Sequence, residues 1–256
     1  MKSDSGLILG LIVLAGLLTV APARAEDTPE SCQVPDYLLA SEGALPKVAE
    51  AIKSGHLLDI LVIGSRSSTI NPTPNTSDAT AYPGRLQIAL KQKLPSIAVN
   101  LSVEIQAKKT AEEVVAGLPQ LMESKKPTLV IWQTGTVDAM RSVDPDDFRT
   151  AVDDGVAALQ SAGTDVVLVN LQYSPRTETM ISAPPYLDNM RVVAQQHDVP
   201  LFDRFAIMRH WNDAGDFDLF SSTHGPDLAK RVHACLGRAL SKFVLEAARI
   251  EPTQQN

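Results

Sequence analysis

Residues 59–69 read Asp-Ile-Leu-Val-Ile-Gly-Ser-Arg-Ser-Ser-Thr, an aliphatic run that stops on Gly64 and delivers four hydroxyls in the next five positions. A strand buried on both faces of a parallel sheet has this apolar character. In open α/β sheets the reactive groups gather just past the carboxyl ends of such strands. Ser65, Ser67, Ser68 and Thr69 therefore have two readings: a presented nucleophile, or a polar turn that caps the next helix.

Four further apolar runs follow the first: 98–105, 128–133, 165–170 and 200–203. Segments 82–93, 110–124, 144–162 and 183–197 separate the runs and carry apolar residues at three- and four-residue spacing, the period of an amphipathic helix. Strands alternating with helices imply a parallel sheet covered on both faces. Each connection is long enough for a right-handed crossover. Thr110 before Ala-Glu-Glu, and Asp144-Pro145-Asp146-Asp147, place a cap, a first-turn proline and acidic residues where a helix start favours them. Gly163 stops the helix of 144–162. Asp227 to Arg249 carries a long apolar stripe that should lie against the sheet. Segment 70–81, rich in Asn, Pro, Thr and Ser, reads as a loop over the strand ends.

Lys2, the apolar run 6–20 and Ala23-Arg24-Ala25 form a secretory signal peptide, with cleavage after Ala25. The apolar run falls short of the roughly 20 residues that span a bilayer. Residues 26–256 then form one domain with no integral membrane segment, periplasmic or secreted. Removing Lys2, Arg24 and Asp4 leaves 21 basic and 29 acidic side chains, a balance that excludes nucleic acid as a partner. The two cysteines, Cys32 and Cys235, meet an oxidising compartment and are expected to pair. The five histidines are scattered and no metal-ligand spacing occurs, so neither a metal nor another cofactor is assigned. His56, His197, His210 and His233 read as solvated or dipole-stabilising residues of helices. Trp132 and Trp211 read as core.

Two other segments should reach the same sheet edge as the hydroxyl cluster: Trp132-Gln133-Thr134-Gly135-Thr136-Val137-Asp138 and Ser221-Ser222-Thr223-His224-Gly225-Pro226. They add backbone donors, a carboxylate and an imidazole. A hydroxyl is a weak nucleophile until a base takes its proton, and histidine suits that task near neutrality.

On these residues the chain, from about 58 to 245, resembles the SGNH (GDSL) hydrolase family of esterases, lipases and acyl-carbohydrate hydrolases. Gly64-Ser65, Gly135-Thr136-Val137-Asp138 and His224 stand at the family's motif positions. The resemblance implies a flavodoxin-like three-layer α/β/α sandwich with a five-stranded parallel sheet. It also implies ester cleavage through an acyl-enzyme: Ser65 or Ser67 as nucleophile, His224 as general base and acid, and Asp218, or Asp216, orienting the imidazole. Gly64, Arg66, Lys108, Gly135 and Thr136 would hold the oxyanion or substrate, a short acyl ester of a small molecule, carbohydrate or envelope glycan. Four positions depart from the family pattern. Arg66 stands where the serine belongs, Val137 replaces the oxyanion asparagine, Lys108 takes the place of a glycine, and Ser221 that of the aspartate before the histidine. Removing one oxyanion donor costs roughly 10² to 10³ in turnover, and Gln106, Gln133, Thr134 and Thr136 are on hand as replacements. The departures equally suit a non-catalytic module holding an anionic or glycan ligand on Arg66, Lys108, Arg141 and Arg176.

Overall fold

The computed structural model describes residues 32–55, 57–71, 78–220 and 225–250. The expected signal peptide, His56, residues 72–77 of the predicted loop, and Ser221 to His224 lie outside them. In chain order the elements are α1 (Pro46–Lys53), β1 (Leu58–Gly64), α2 (Tyr82–Lys93), β2 (Val99–Ile105), α3 (Ala111–Val115), α4 (Leu118–Lys125), β3 (Leu129–Gln133), α5 (Thr136–Met140), α6 (Pro145–Ser161), β4 (Asp165–Val169), α7 (Pro175–Met180), α8 (Pro184–Gln196), β5 (Leu201–Phe202), α9 (Arg204–Asp213) and α10 (Gly225–Ala247).

All five expected strands form, and every pairing is parallel, in the order β2-β1-β3-β4-β5. The order reverses between β1 and β3, where Ile63 pairs with Trp132. Their carboxyl ends, Gly64 and Gln133, therefore border the topological switch point, the crevice where ligands bind in open α/β sheets. Strands β1, β3 and β4 are buried almost throughout, as their continuous apolar runs require.

Helix α2 packs on α10, while α6 packs on α3, α4 and α8. At Gly155 α6 lies directly on the sheet: a Cβ there would lie 2.5 Å from the Trp132 ring. Trp132 and Trp211 are fully buried, as the sequence suggests.

Segment 110–124 is not the single helix its periodicity predicts. It breaks at Gly117, because Pro119 has no N–H to continue the ladder of α3 and is tolerated only in the first turn of α4. Glu113 N–H donates to Thr110 Oγ1 at 3.3 Å and Thr110 N–H to Glu113 Oε2 at 2.8 Å, a reciprocal cap for α3. Helices α1, α5, α7 and α9 were not legible in the periodicity. Helix α1 is started by a residue 117 positions away: Asp165 Oδ2 accepts from Lys47 N–H at 2.8 Å and Val48 N–H at 2.9 Å. Burial pushes the Asp165 pKa up, and those two bonds oppose it. Among the described residues no helix is long and apolar enough to cross a membrane.

Cys32 and Cys235 form the expected disulfide, with Cα atoms 5.3 Å apart across 203 residues of sequence. It fastens the start of the described chain to α10. Cys32→Ser/Cys235→Ser, or reduction, is expected to lower stability by about 2–4 kcal/mol, read as a drop in the urea midpoint with a steeper slope, since the uncrosslinked unfolded chain exposes more surface.

Candidate active site

The chain leaves β1 through Gly64, whose missing side chain admits Ser68: a Cβ there would overlap the Ser68 side chain. A single 3₁₀ turn, Arg66–Ser68, follows, with Ser65 as its N-cap. Ser67 N–H points at Ser65 Oγ at 3.4 Å, and the turn brings three serine side chains around the end of β3.

Gln133 is the receiver. Its Oε1 accepts from Ser65 N–H at 3.0 Å and lies 3.0, 3.4 and 2.9 Å from the hydroxyls of Ser65, Ser67 and Ser68. An amide N–H can only donate, so Ser65 N–H fixes which end of the carboxamide faces the turn. The other end, Nε2, is buried with no protein acceptor. Gln133 itself lines a small recess together with Ser65, Gln106, Gly135, Thr136 and Asp138. Thr136 Oγ1 and Asp138 Oδ2 are buried there without partners as well.

A second group enters from α9. At the end of β4, Asn170 Nδ2 donates to Asp203 Oδ1 at 2.7 Å, and Phe205 N–H donates to Asn170 Oδ1 at 2.9 Å. Asp203 Oδ1 also caps the helix, accepting from Ala206 N–H at 2.9 Å. These bonds set the rotation of α9 so that its first residue, Arg204, turns inward and is 1% exposed. Arg204 Nη1 donates to Ser67 Oγ at 3.1 Å; Nη2 donates to Ser67 O at 3.2 Å and to Gln172 Oε1 at 3.1 Å. The guanidinium lies 5.5 Å from the Tyr82 ring centroid. Burial lowers the Arg204 pKa to about 10, which leaves it cationic at neutral pH.

Behind the serines, Ser68 Oγ and Tyr82 OH are 3.0 Å apart. Burial raises the Tyr82 pKa, against the pull of Arg204, so the phenol stays protonated. Tyr82 N–H donates to His233 Nδ1 at 3.0 Å. An acceptor Nδ1 means a neutral imidazole carrying its proton on Nε2. Burial, then Arg204, lowers the His233 pKa to about 3. The solvated role predicted for His233 is thus corrected: it is 8% exposed and receives the start of α2.

Among the other residues singled out by sequence, Ser65 and Ser67 sit together, half-buried, at the switch point. Arg66 is exposed and its Nη1 donates to Thr69 O at 3.3 Å. Lys108 is exposed with φ 65°, the left-handed backbone that suits a glycine, so what survives at that position is a backbone shape. Gly135 has φ 93° and begins α5, where a Cβ would lie 2.6 Å from Leu171 Cδ1. Asp138 is buried and caps α3, its Oδ1 accepting from Ala111 N–H at 2.8 Å; burial raises its pKa. Asp218 is exposed, and its Oδ1 accepts from Phe220 N–H at 3.1 Å. Arg141 pairs with Glu113 at 3.1 Å and Arg176 lies exposed on α7, so neither joins Ser65 and Ser67. His224 and Ser221 are outside the described residues. Arg204, Gln172 and Tyr82 were not singled out by sequence. Arg204 follows a strand end, as Ser65 does, but nothing local tells that it points inward.

His233 generates a pH prediction. Between pH 6.5 and about 3 the unfolded chain binds a proton at this imidazole and the folded chain does not. The stability present above pH 6.5 is therefore lost as pH falls, by up to about 5 kcal/mol near pH 3. His233→Gln, which keeps an acceptor for Tyr82 N–H, is expected to flatten that part of the stability–pH curve, measured by urea unfolding at half-unit pH steps.

Several solved structures share the fold. A two-domain esterase (CEX) active on acetylated mannans is 16% identical with a TM-score of 0.64; the match covers 86% of this chain and 58% of that one. A catalytic mutant of Axe2, an acetylxylan esterase from Geobacillus stearothermophilus, is 15% identical with a TM-score of 0.58, covering 77% of this chain and 96% of that one. A lipolytic protein of the G-D-S-L family from Desulfitobacterium hafniense is 16% identical with a TM-score of 0.52, covering 72% and 98%. No curated protein matches the sequence. The profile of the non-GDSL lipase-like family matches residues 31–250, and the chain belongs to that family.

Proposed function

We propose that the protein is an exported serine hydrolase that cleaves a short acyl ester of a carbohydrate or glycan through an acyl-enzyme. The observation that carries the reading is the pair of half-buried hydroxyls, Ser65 and Ser67, held 3.2 Å apart at the carboxyl end of β1 beside the switch point. In this reading Ser65 or Ser67 attacks the ester carbonyl and His224 takes its proton, then returns it to the leaving alkoxide. Asp218 orients the imidazole. Gly135 and Thr136 line the substrate side of the recess, and Gln133 Nε2 supplies the side-chain donor that Val137 cannot. Membership of a lipase-like family supports the reaction class, and the acetylated-glycan esterases of the same fold support the substrate class. The signal-peptide pattern and the disulfide support export and a single mature domain, 26–256.

The test pairs a fluorophosphonate probe with p-nitrophenyl acetate and acetylated xylo-oligosaccharides, using the mature protein. Wild type is expected to be labelled and to turn over ester. Ser65→Ala/Ser67→Ala and His224→Ala are expected to lose both. A folded wild type that does neither overturns the hydrolase reading. Gln133→Leu is expected to lower kcat by about 10²- to 10³-fold, the cost of removing one oxyanion donor, measured by steady-state kinetics.

A further inference from the structure

Arg204 is a cation without an anion. Its two terminal nitrogens contact only neutral oxygens, those of Ser67 and Gln172, and its Nε is buried with no acceptor. Among the described residues no carboxylate lies within ion-pair distance of it. A buried charge left unpaired opposes folding, and neutral hydrogen bonds do not compensate it. A neutral donor would serve Ser67 and Gln172 equally well in the resting protein. In the resting protein the charge meets only the face of the Tyr82 ring, 5.5 Å away, and it gains most when negative charge forms next to it; the atom beside Nη1 is Ser67 Oγ.

Ser65 and Ser67 are not equivalent in this respect. Both hydroxyls approach Gln133 Oε1, Ser65 at 3.0 Å and Ser67 at the longer 3.4 Å, but the Ser65 oxygen also faces Ser67 N–H as the cap of the 3₁₀ turn. No cation contacts it. Ser67 Oγ accepts from a guanidinium and is half-buried, so it keeps a lone pair for an incoming carbon.

Building on the ester-hydrolase reading, we infer that Ser67 is the nucleophile and that Arg204 is its charge-stabilising partner. Ser67 Oγ bonds to the ester carbonyl carbon while its proton passes to the His224 imidazole. The carbonyl π pair moves to oxygen and then returns, breaking the bond to the alkoxide, which takes the proton from the imidazolium and leaves as alcohol. Water then gives a proton to His224 and its oxygen to the acyl carbon. Ser67 Oγ departs with its electron pair beside Arg204 and recovers the proton, so ester and water become acid and alcohol. Arg204 acts where Ser67 Oγ carries charge, at attack and at release. This is stabilisation of the transition state over the ground state.

The deciding experiment maps the fluorophosphonate adduct by peptide mass spectrometry and follows Arg204→Met and Arg204→Lys in parallel. The adduct is expected on Ser67. Arg204→Met should lower kcat and the labelling rate by about 10²- to 10³-fold, leave KM within a few-fold, and keep or raise Tm, since an unpaired buried charge is gone. Its labelling rate should rise only at higher pH than in wild type. Arg204→Lys, which keeps the charge, should retain more activity than Arg204→Met, and added guanidinium should partly restore Arg204→Ala. An adduct on Ser65, or an Arg204→Met enzyme with wild-type kcat, overturns the assignment and leaves the hydrolase reading standing. Equal losses in the Lys and Met variants together with a lowered Tm show a structural clamp and also overturn it. No adduct on any serine of the folded wild type removes the hydrolase reading and this inference together.

Discussion

The carboxamide of Gln133 is the contact on which the candidate site depends. It stands at the last residue of β3, 3% exposed, and its single oxygen serves the whole exit of β1: one backbone N–H and the hydroxyls around it. Parallel pairing of β1 with β3 brings the two strand ends side by side, so the register of the sheet sets this distance. A carbonyl oxygen has two lone pairs. With Ser65 N–H occupying one, the three serines share what remains, and their protons must turn toward one another, toward Tyr82 or toward solvent. The competition keeps hydroxyl protons at the switch point exchangeable among partners, which suits a nucleophile better than a turn that needs only a cap.

Around this contact the protein assembles a buried polar network with one charge. Arg204, Ser67, Gln133, Ser68, Tyr82 and His233 are linked through α9, β1, β3, α2 and α10. Burial favours the neutral forms of Tyr82 and His233, and the guanidinium reinforces the choice at His233. Low local dielectric strengthens each of these interactions and raises the cost of any left unmade. Asn170 and Asp203 set the rotation of α9 that brings Arg204 into this network. The position of the cation is therefore determined at the end of β4, a strand that supplies no group to the serines themselves.

The departures from the SGNH pattern look different in the structure. Lys108 keeps the left-handed backbone of a glycine position while its side chain stays exposed. Arg66 spends its guanidinium on Thr69 O, outside the serine cluster. Asp138 caps α3. Lys108 and Asp138 thus retain a backbone and a capping function, and polar groups gathered around the hydroxyls come from residues outside the motifs, Gln133 and Arg204.

Strand number, strand order of hydrophobicity and the main helices were legible in the sequence, because period and apolar run length are properties of neighbouring residues. The start of the first helix of the 110–124 segment and the disulfide pairing were legible for related reasons: a cap acts within one turn, and two cysteines in one chain have only each other as partner. The position of Ser65 and Ser67 just past a strand end was legible because the apolar run stops at Gly64. Helix α1 was not, since it is started by Asp165, and α9, although Asp203 caps it locally, takes its rotation from the distant Asn170. Nor was the buried Arg204, or a His233 that is neutral because it receives Tyr82 N–H. The sequence by itself determined an α/β chain with hydroxyls at the end of its first strand. Only the tertiary structure decided which groups surround them, because those contacts join residues 65 to 151 positions apart, and no local pattern encodes the direction in which such a side chain points.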